Sequence, residues 1–408
     1  MTVPAQGLNK VFAFGKQTGI GVPKVGAGCF KLRRKTAVFS ASVDTSMNDE
    51  ITSHRQDTGV TFGQKKTTGK IDGNLSPGTY YKFIAAALMK DFAAVTPYAA
   101  GLDVTAAATS PQFADASGGF LAAGLKVGMV GRWTGFAGGG ATANNDRNFW
   151  ITALTATNMT GVFLDGTAVV ADASGDTVTF TVVGMITNAP LTGHTNDYYT
   201  FESWQSDISK SEVFPDCKFN QIATTVPATG PSTISIDVVG LGTRTLGTSQ
   251  AMTTPGAETT TDVVEGVRGA LYVNAALVSY VQSFSLAIDR GITPVGASLG
   301  SAVSPGHNEG KVKASGSFSV FYDGSTLSDI FDAQNTVSLA LVSVCDGTAT
   351  SGFVGYTMGK ISITSEQPDD GEKVIIRTFN FTAEINGAGG AALAFDQTII
   401  MCQDSAAT

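Results

Sequence analysis

The stretch Gly69-Lys70-Ile71-Asp72-Gly73-Asn74-Leu75-Ser76-Pro77-Gly78-Thr79-Tyr80-Tyr81-Lys82-Phe83-Ile84-Ala85-Ala86-Ala87 has a second copy in the same chain. Gly316 to Gln334, GSFSVFYDGSTLSDIFDAQ, lies over it at one constant offset and without a gap. Both read as a strand, a turn and a short helix. In the first copy the alternation predicts a strand over Thr68 to Leu75. Ser76 then suits a helix N-cap and Pro77 the first helical position, where no N–H partner is needed. Tyr80, Phe83, Ile84, Ala87 and Leu88 fall on one apolar helical face; Leu327, Ile330, Phe331 and Gln334 take the same places in the second copy.

Working outward, more pairs appear. Phe39-Ser40-Ala41-Ser42-Val43-Asp44 recurs as Phe284-Ser285-Leu286-Ala287-Ile288-Asp289, each a short strand closed by an acid. Val213 to Gln221 resembles Gly355 to Ile363, and an alternating strand follows each: Ile234, Ile236, Val238, and Ile375, Phe379, Phe381, Ala383. A repeat of strand, long loop, strand, helix, strands is a duplicated domain. The expected fold class is mainly β (α+β): two tandem β-sandwich domains, each with one short helix, plus an inserted small β domain. The expected divisions are an N-terminal arm at 1–36, a discontinuous first domain at 37–100 and 197–240, and the insert at 101–196. A linker at 241–279, the second domain at 280–402 and a tail at 403–408 complete the chain. Within the insert, strand-like runs lie at Val127 to Thr134, Phe149 to Leu154 and Thr177 to Val183; residues 241–267 read as Thr-rich linker without apolar period.

Composition restricts the function. Only 15% of residues are charged, against 43% hydrophobic, a surface poor in charge for a free soluble protein and fitting for one covered by copies of itself. The net charge of −8 speaks against a protein that grips nucleic acid, which needs a basic surface. The N-terminus lacks an apolar signal core, no run reaches the ~18–20 apolar residues of a membrane span, and synthesis in the cytoplasm is expected. Cys29, Cys217, Cys345 and Cys402 are too scattered for a zinc site or a disulfide scaffold and read as buried thiols.

No catalytic constellation emerges. His54, His194 and His307 have no metal-ligand spacing and read as exposed loop residues. Gly138-Gly139-Gly140 is not followed by the Lys-Ser or Lys-Thr of a phosphate loop, and no nucleophile elbow lies between a strand and a helix. The cluster Glu366, Asp369, Asp370, Glu372 reads as a hairpin turn around Pro-Asp-Asp-Gly rather than a calcium loop. Lys31, Arg33, Arg34 and Lys35 form the densest basic run, read as an arm docking on a neighbour or a solvated stretch before a strand. Tyr198, Tyr199, Phe201 and Trp204 alternate at strand spacing, which favours a core or inter-subunit role over a sugar-binding face. No enzyme activity, metal or cofactor is expected.

Val22-Pro23 through Asn74, Phe83 to Leu88, and in the insert Gly124 to Gly128, Trp133-Thr134-Gly135-Phe136 and Asn144-Asn145 resemble the siphophage tail tube family, in its branch with two tube domains per chain. The resemblance implies a virion structural subunit that self-assembles into stacked rings of six tube folds, so that three chains make a pseudo-sixfold ring. Its strands would join into a barrel around a channel that DNA traverses without specific binding, with tape measure and tail-end proteins as further partners, no membrane, and the virion tail as location. It also implies that the long loops after the first strand, Thr45 to Lys66 and Gly291 to Gly310, reach neighbouring rings; Asp49, Glu50, His54, Arg55 and His307 are the candidates there. On the strand after the first loop, Thr68, Lys70, Asp72 and Asn74 share a polar face, and Ser235 and Asp237 oppose Ile234, Ile236 and Val238. Asp72, Asn74 and Asp237 are therefore the candidate lumen-lining residues, an adjacent subunit being the other surface they could face. Lys70 shares that face and could pair with Asp72 or a neighbouring acid. The rival reading is an extracellular β-rich binding module of adhesin type.

Overall fold

Ile, Val, Phe, Ser and Thr at alternate positions make strands that bury one face and wet the other, and eight such strands organise the chain. In chain order they are β1 (Thr36–Met47), β2 (Val60–Asn74), β3 (Lys210–Pro227), β4 (Thr233–Gly240), β5 (Val281–Asp289), β6 (Lys313–Phe321), β7 (Phe353–Pro368) and β8 (Ile376–Ala383). The computed structural model describes every residue except 1–3, 52, 55, 57, 58, 100, 111 and 371. Among the described residues there are two α-helices, α1 (Tyr81–Leu88) after β2 and α2 (Thr326–Asp332) after β6. The fold is mainly β, sandwich-like, with short helices.

The strands pair antiparallel in the spatial order β1-β2-β4-β3-β5-β6-β8-β7. The first four and the last four repeat one another, and β3 pairs with β5 from Gln221↔Asp289 to Pro227↔Ser283. One uninterrupted sheet thus crosses both halves. Its inner face carries Ile71, Ile236, Ile222, Ile288, Phe284, Phe318, Phe379 and Phe381, all nearly inaccessible to water, and these belong to one core that runs through both halves. Phe83 of α1 caps this core, 4.7 Å from both Phe14 and Phe219 ring centres.

A second layer backs the sheet. In the first half, strands Lys10–Lys16 and Tyr199–Gln205 pair with each other, and Tyr199–Gln205 continues onto the start of β3. In the second half, Ala270–Val273, Thr336–Val344 and the start of β7 do the same. The first residues therefore bury Phe12 and Phe14. Of the basic run, Arg34 donates to the carbonyls of Leu32 and Lys10 and stacks on Phe12, so it is tied into the chain's own body. Tyr198, Tyr199 and Phe201 are buried core residues. Cys29, Cys217 and Cys402 are buried free thiols; Cys345 is only half-buried.

Between residues 98 and 182 lies a separate seven-stranded sheet with its own core around Trp133, Phe113 and Phe149. It includes the three expected runs as Val130–Thr134, Phe149–Leu154 and Thr179–Val182, and adds the short pairs and the strand Asn158–Phe163 that alternation did not reveal. It is docked firmly. Val130 and Trp150 pack with Ala340, Val342, Val344 and Phe353 of the second half. Lys126, almost wholly buried, donates to the carbonyls of Gly390, Ala391 and Leu393 at 2.6 to 2.7 Å.

Four expectations need correction. Ser76 does not cap α1: its Oγ pairs with Thr79 Oγ at 2.7 Å, and Asp404 takes the Gly78 N–H. Gly78, at φ +75°, turns the chain left-handed and delays the helix to Tyr81. The loop from Thr45 to Lys66 is mostly hairpin, since β1 runs to Met47 and β2 starts at Val60. Residues 241–267 hold two short strands, Thr245–Gly247 and Thr254–Gly256, paired to β3 and to Ala27–Lys31. Finally, Phe39 stands opposite Gly69, but opposite Gly316 stands Leu286, two residues beyond Phe284. A slip of two keeps every side chain on its own face, so the sequence match survived it.

Candidate assembly surfaces

The polar side of the eight-stranded sheet is one exposed surface. Asp72 accepts from Thr36 Oγ at 3.0 Å and Ser235 Oγ at 2.7 Å. Asp237 lies opposite Lys70 on one side and Gln221 on the other. Asn74 closes the row beside Thr233, its Oδ1 buried without a partner. The structure thus brings Asp72, Asn74 and Asp237 onto one face, with Lys70 in register with Asp237 rather than Asp72. Across the joint the face continues in hydroxyls and amides: Ser285 with Ser317 at 2.9 Å, Ser319 with Thr378 at 2.8 Å, and Asn380 donating to Ser365 at 2.7 Å. The alternation Ser315, Ser317, Ser319 was the unread signal for this second half. Asp44, Asp72, Asp237 and Asp289 stand against Lys66, Lys70 and Lys313 on this side, so its charge is nearly balanced.

The two outer edges of the sheet are β1 and the last residues of β7. Beyond Ser362, β7 pairs only with β8, and β1 pairs only with β2. Each therefore offers an open row of backbone N–H and C=O groups, the condition that invites pairing with another chain.

The hairpin tip bears Asp49 and Glu50, both exposed, with Asn48 donating to Glu50. His54 is exposed there, its Nδ1 accepting from the Gln56 N–H at 3.3 Å; Arg55 lies outside the described residues. The tip also exposes Met47, Val60 and Phe62, which the loop reading passed over.

His307 is not an exposed loop residue. The 291–310 segment folds back on its own chain: Ala302 O accepts from Lys65 N, and Ser304 N donates to Leu241 O. His307 donates from Nε2 to Val239 O at 3.2 Å and lies against the Tyr198 ring, with Nδ1 buried and unpartnered. Burial, then the nearby Lys218 charge, push its pKa down to about 4. Beside it Glu309 pairs with both Lys218 and Arg290, whose side chains are almost fully buried. Burial works to raise the Glu309 carboxyl, but the Lys218 hydrogen bond and the Arg290 charge hold it below the usual range. The acids of the 366–372 turn behave as a hairpin: Glu366 pairs with Arg377, and Asp369 N donates to Ile376 O. No group of His, Cys, Asp or Glu able to hold a metal occurs among the described residues.

The chain is thus a duplicated sandwich with a polar sheet face, two open edges and a projecting hairpin. The family model for phage tail tube protein matches residues 7–383. The chain belongs to the phage tail tube protein family. No curated protein matches it. The tail tube chain is thus a structural component of a viral tail, and the adhesin reading has no comparable support. Among the described residues of the tail tube chain, no helix is long and apolar enough to cross a membrane.

Proposed function

We propose that three tail tube chains close into a ring of six lining units, and that rings stack into a tube whose channel passes the genome. The observation that carries this reading is the β3–β5 joint inside the chain. It is an edge-to-edge pairing between two like units, and the same pairing between β7 of one chain and β1 of the next would close a ring, as heterologous contacts do when the rotation permits. Closure would remove both open edges. We take the units as residues 37–100 with 197–240, and 280–402, with 101–196 inserted, an arm before them, a linker between and a tail after.

The joint also supplies a register. Asp237 faces Lys70 in the first unit as Asn380 faces Ser317 in the second, so Gln221 and Ser365 are equivalent. Phe39 faces Gly69 as Leu286 faces Gly316, so Ser42 and Asp289 are equivalent. Gln221 pairs with Asp289; Ser365 should pair with Ser42 of the next chain. The polar side then lines the channel, with Asp72, Asn74 and Asp237 on its wall. Near-balanced charge and many hydroxyls suit DNA that must slide, since each unbalanced Lys or Arg would add phosphate attraction. Tape measure and tail-end proteins would meet the lumen and the open ends.

The test is oxidative crosslinking of Ser42→Cys, Ser365→Cys chains, with electron microscopy of the unsubstituted protein. Rings or tubes and covalent products ending at the trimer are expected. Rings of six whole chains, or rings with no crosslink, refute the reading.

A further inference from the structure

The strand Met401–Asp404 lies in the second layer between two others. Met185–Asn188, which leads the chain out of the insert, pairs with it on one side, and Val354 to Thr357 at the start of β7 on the other. Each neighbour has an anchor of its own. Ile186 exchanges two backbone hydrogen bonds with Ala93, and the start of β7 pairs with Thr336–Val344. Without 401–404 there would be a slot about 10 Å wide between walls that are held elsewhere.

Alternation divides the strand between two bodies. Met401 joins the core of the insert, and Gln403 bonds to Val130 and Val183. Cys402 lies in the core shared by the two halves, and Asp404 takes the Gly78 N–H at 2.9 Å, just before α1. The lead-in, residues 384–400, runs as turns and bends and bonds outward rather than to itself. Besides the Lys126 contacts, Val127 N donates to Ala394 O at 2.8 Å and Asn188 Nδ2 to Asp396 at 3.0 Å. After the strand, Ser405 Oγ accepts from Phe353 N and the Tyr81 hydroxyl donates to Thr408 O, each at 2.9 Å. Residues 388–408 thus lie on the insert, the first half and the second half as an added strand lies on a receptor. Backbone pairing gives the hold and alternate side chains give the selectivity.

We propose that the slot between Met185–Asn188 and β7 is a strand-binding site and residues 388–408 its ligand, a strap that docks onto the formed sheets, leaves and returns without unfolding them, and clamps the insert to the second half while in place. The paired stretch is short, and short pairings open locally at less cost than the whole fold. Its two polar anchors, Gln403 and Asp404, hold backbone groups of Val130, Val183 and Gly78. When the strap leaves, those groups turn to water rather than to an apolar void, so the open state keeps its hydrogen bonds.

A cut in the folded chain tests this. A recognition sequence for a site-specific protease goes between Gly387 and Ala388, both exposed, with open space around Gly387. After cleavage the severed strap should stay bound, and a fluorescent peptide of residues 388–408 added in excess should replace it. The same peptide carrying Gln403→Leu should bind about a hundredfold more weakly, because three hydrogen bonds are lost. A severed strap that never exchanges, one whose loss melts the eight-stranded sheet, or equal binding of the two peptides overturns the proposal. Should the added sequence prevent folding, hydrogen exchange of the unsubstituted chain in dilute urea decides. The amides of Met185–Asn188 and Met401–Asp404 should open together, at lower urea than those of the β3–β5 joint. Opening of both sets at one urea concentration overturns the proposal equally.

Discussion

Acid should loosen the 291–310 segment through His307. The ring is neutral when folded, with its pKa down to about 4 against 6.5 in a free side chain. Its Nε2 is spent on Val239 O, its Nδ1 has no acceptor, and Lys218 is close by, with Glu309 and Asp216 the nearby acids. A base whose folded pKa is depressed contributes no penalty above pH 6.5. Its cost grows as pH falls toward 4, because the unfolded chain takes the proton first. The full shift corresponds to about 3 kcal/mol, and about 2 kcal/mol after allowing for the part of the ring that water reaches. Glu309 titrates below the usual carboxylate range, so between pH 7.5 and 4.5 the histidine dominates this cluster. His307→Gln keeps an N–H for Val239 and cannot ionise. Urea unfolding of both proteins across that range should show the unsubstituted chain losing about 2 kcal/mol more than the variant. Parallel curves would refute the assignment of acid sensitivity to this ring.

Three further outcomes follow from other contacts. Gly316→Ala should destabilise strongly, since its Cβ would meet Ser285 O at 2.0 Å, whereas Gly306→Ala has open space around it; thermal unfolding of the two should differ by several degrees, at about 4–8 °C per kcal/mol for a small domain and less for a chain this size. Gln403→Leu should cost about 3 kcal/mol and expose the insert to protease, because Gln403 satisfies Val130 N, Val130 O and Val183 O at 2.8 Å each and all three would be orphaned. Burial lifts the Asp404 pKa to about 6; an acid with a raised folded pKa loses stability as pH climbs from about 4 through 6. The advantage of the unsubstituted chain over Asp404→Asn should therefore shrink by up to about 3 kcal/mol across that range in chemical denaturation.

Much of the fold could be read because burial and alternation agreed. Ile234, Ile236 and Val238 are buried and their neighbours are not, so period two was visible. It failed where that contrast vanished. Val43 to Met47 and Val60 to Phe62 are exposed on both faces, and without a core to select one side the arms looked like loop. Two- and three-residue strands such as Tyr98–Ala99 and Val104–Ala106 are too short to show any period. The Ser-Pro signal misled because two features cancelled it: the adjacent left-handed Gly78 and, 326 residues away, Asp404 claiming the Gly78 N–H. His307 was read as exposed because its burial comes from Val239 and Tyr198, far off in sequence.

The candidate site was legible in the same measure and for the same reason. Asp72 and Asp237 could be placed on one face from strand parity alone, because parity is local. Which strand lay beside which was not local. Parity leaves Lys70 to pair with Asp72, two residues away on its own strand, or with a neighbouring acid; only β4 shows that Lys70 stands opposite Asp237 and Asp72 opposite Ser235. Cross-strand neighbours stand about 4.5–5.5 Å apart, closer than next-but-one residues along one strand at about 7 Å. The decisive contacts of the sheet are thus those that sequence separation hides. The duplication repairs part of this loss. Once one joint between like units is seen in the β3–β5 pairing, the proposed second joint rests on equivalence rather than on proximity, and would bring together Ser42 and Ser365, 323 positions apart in sequence.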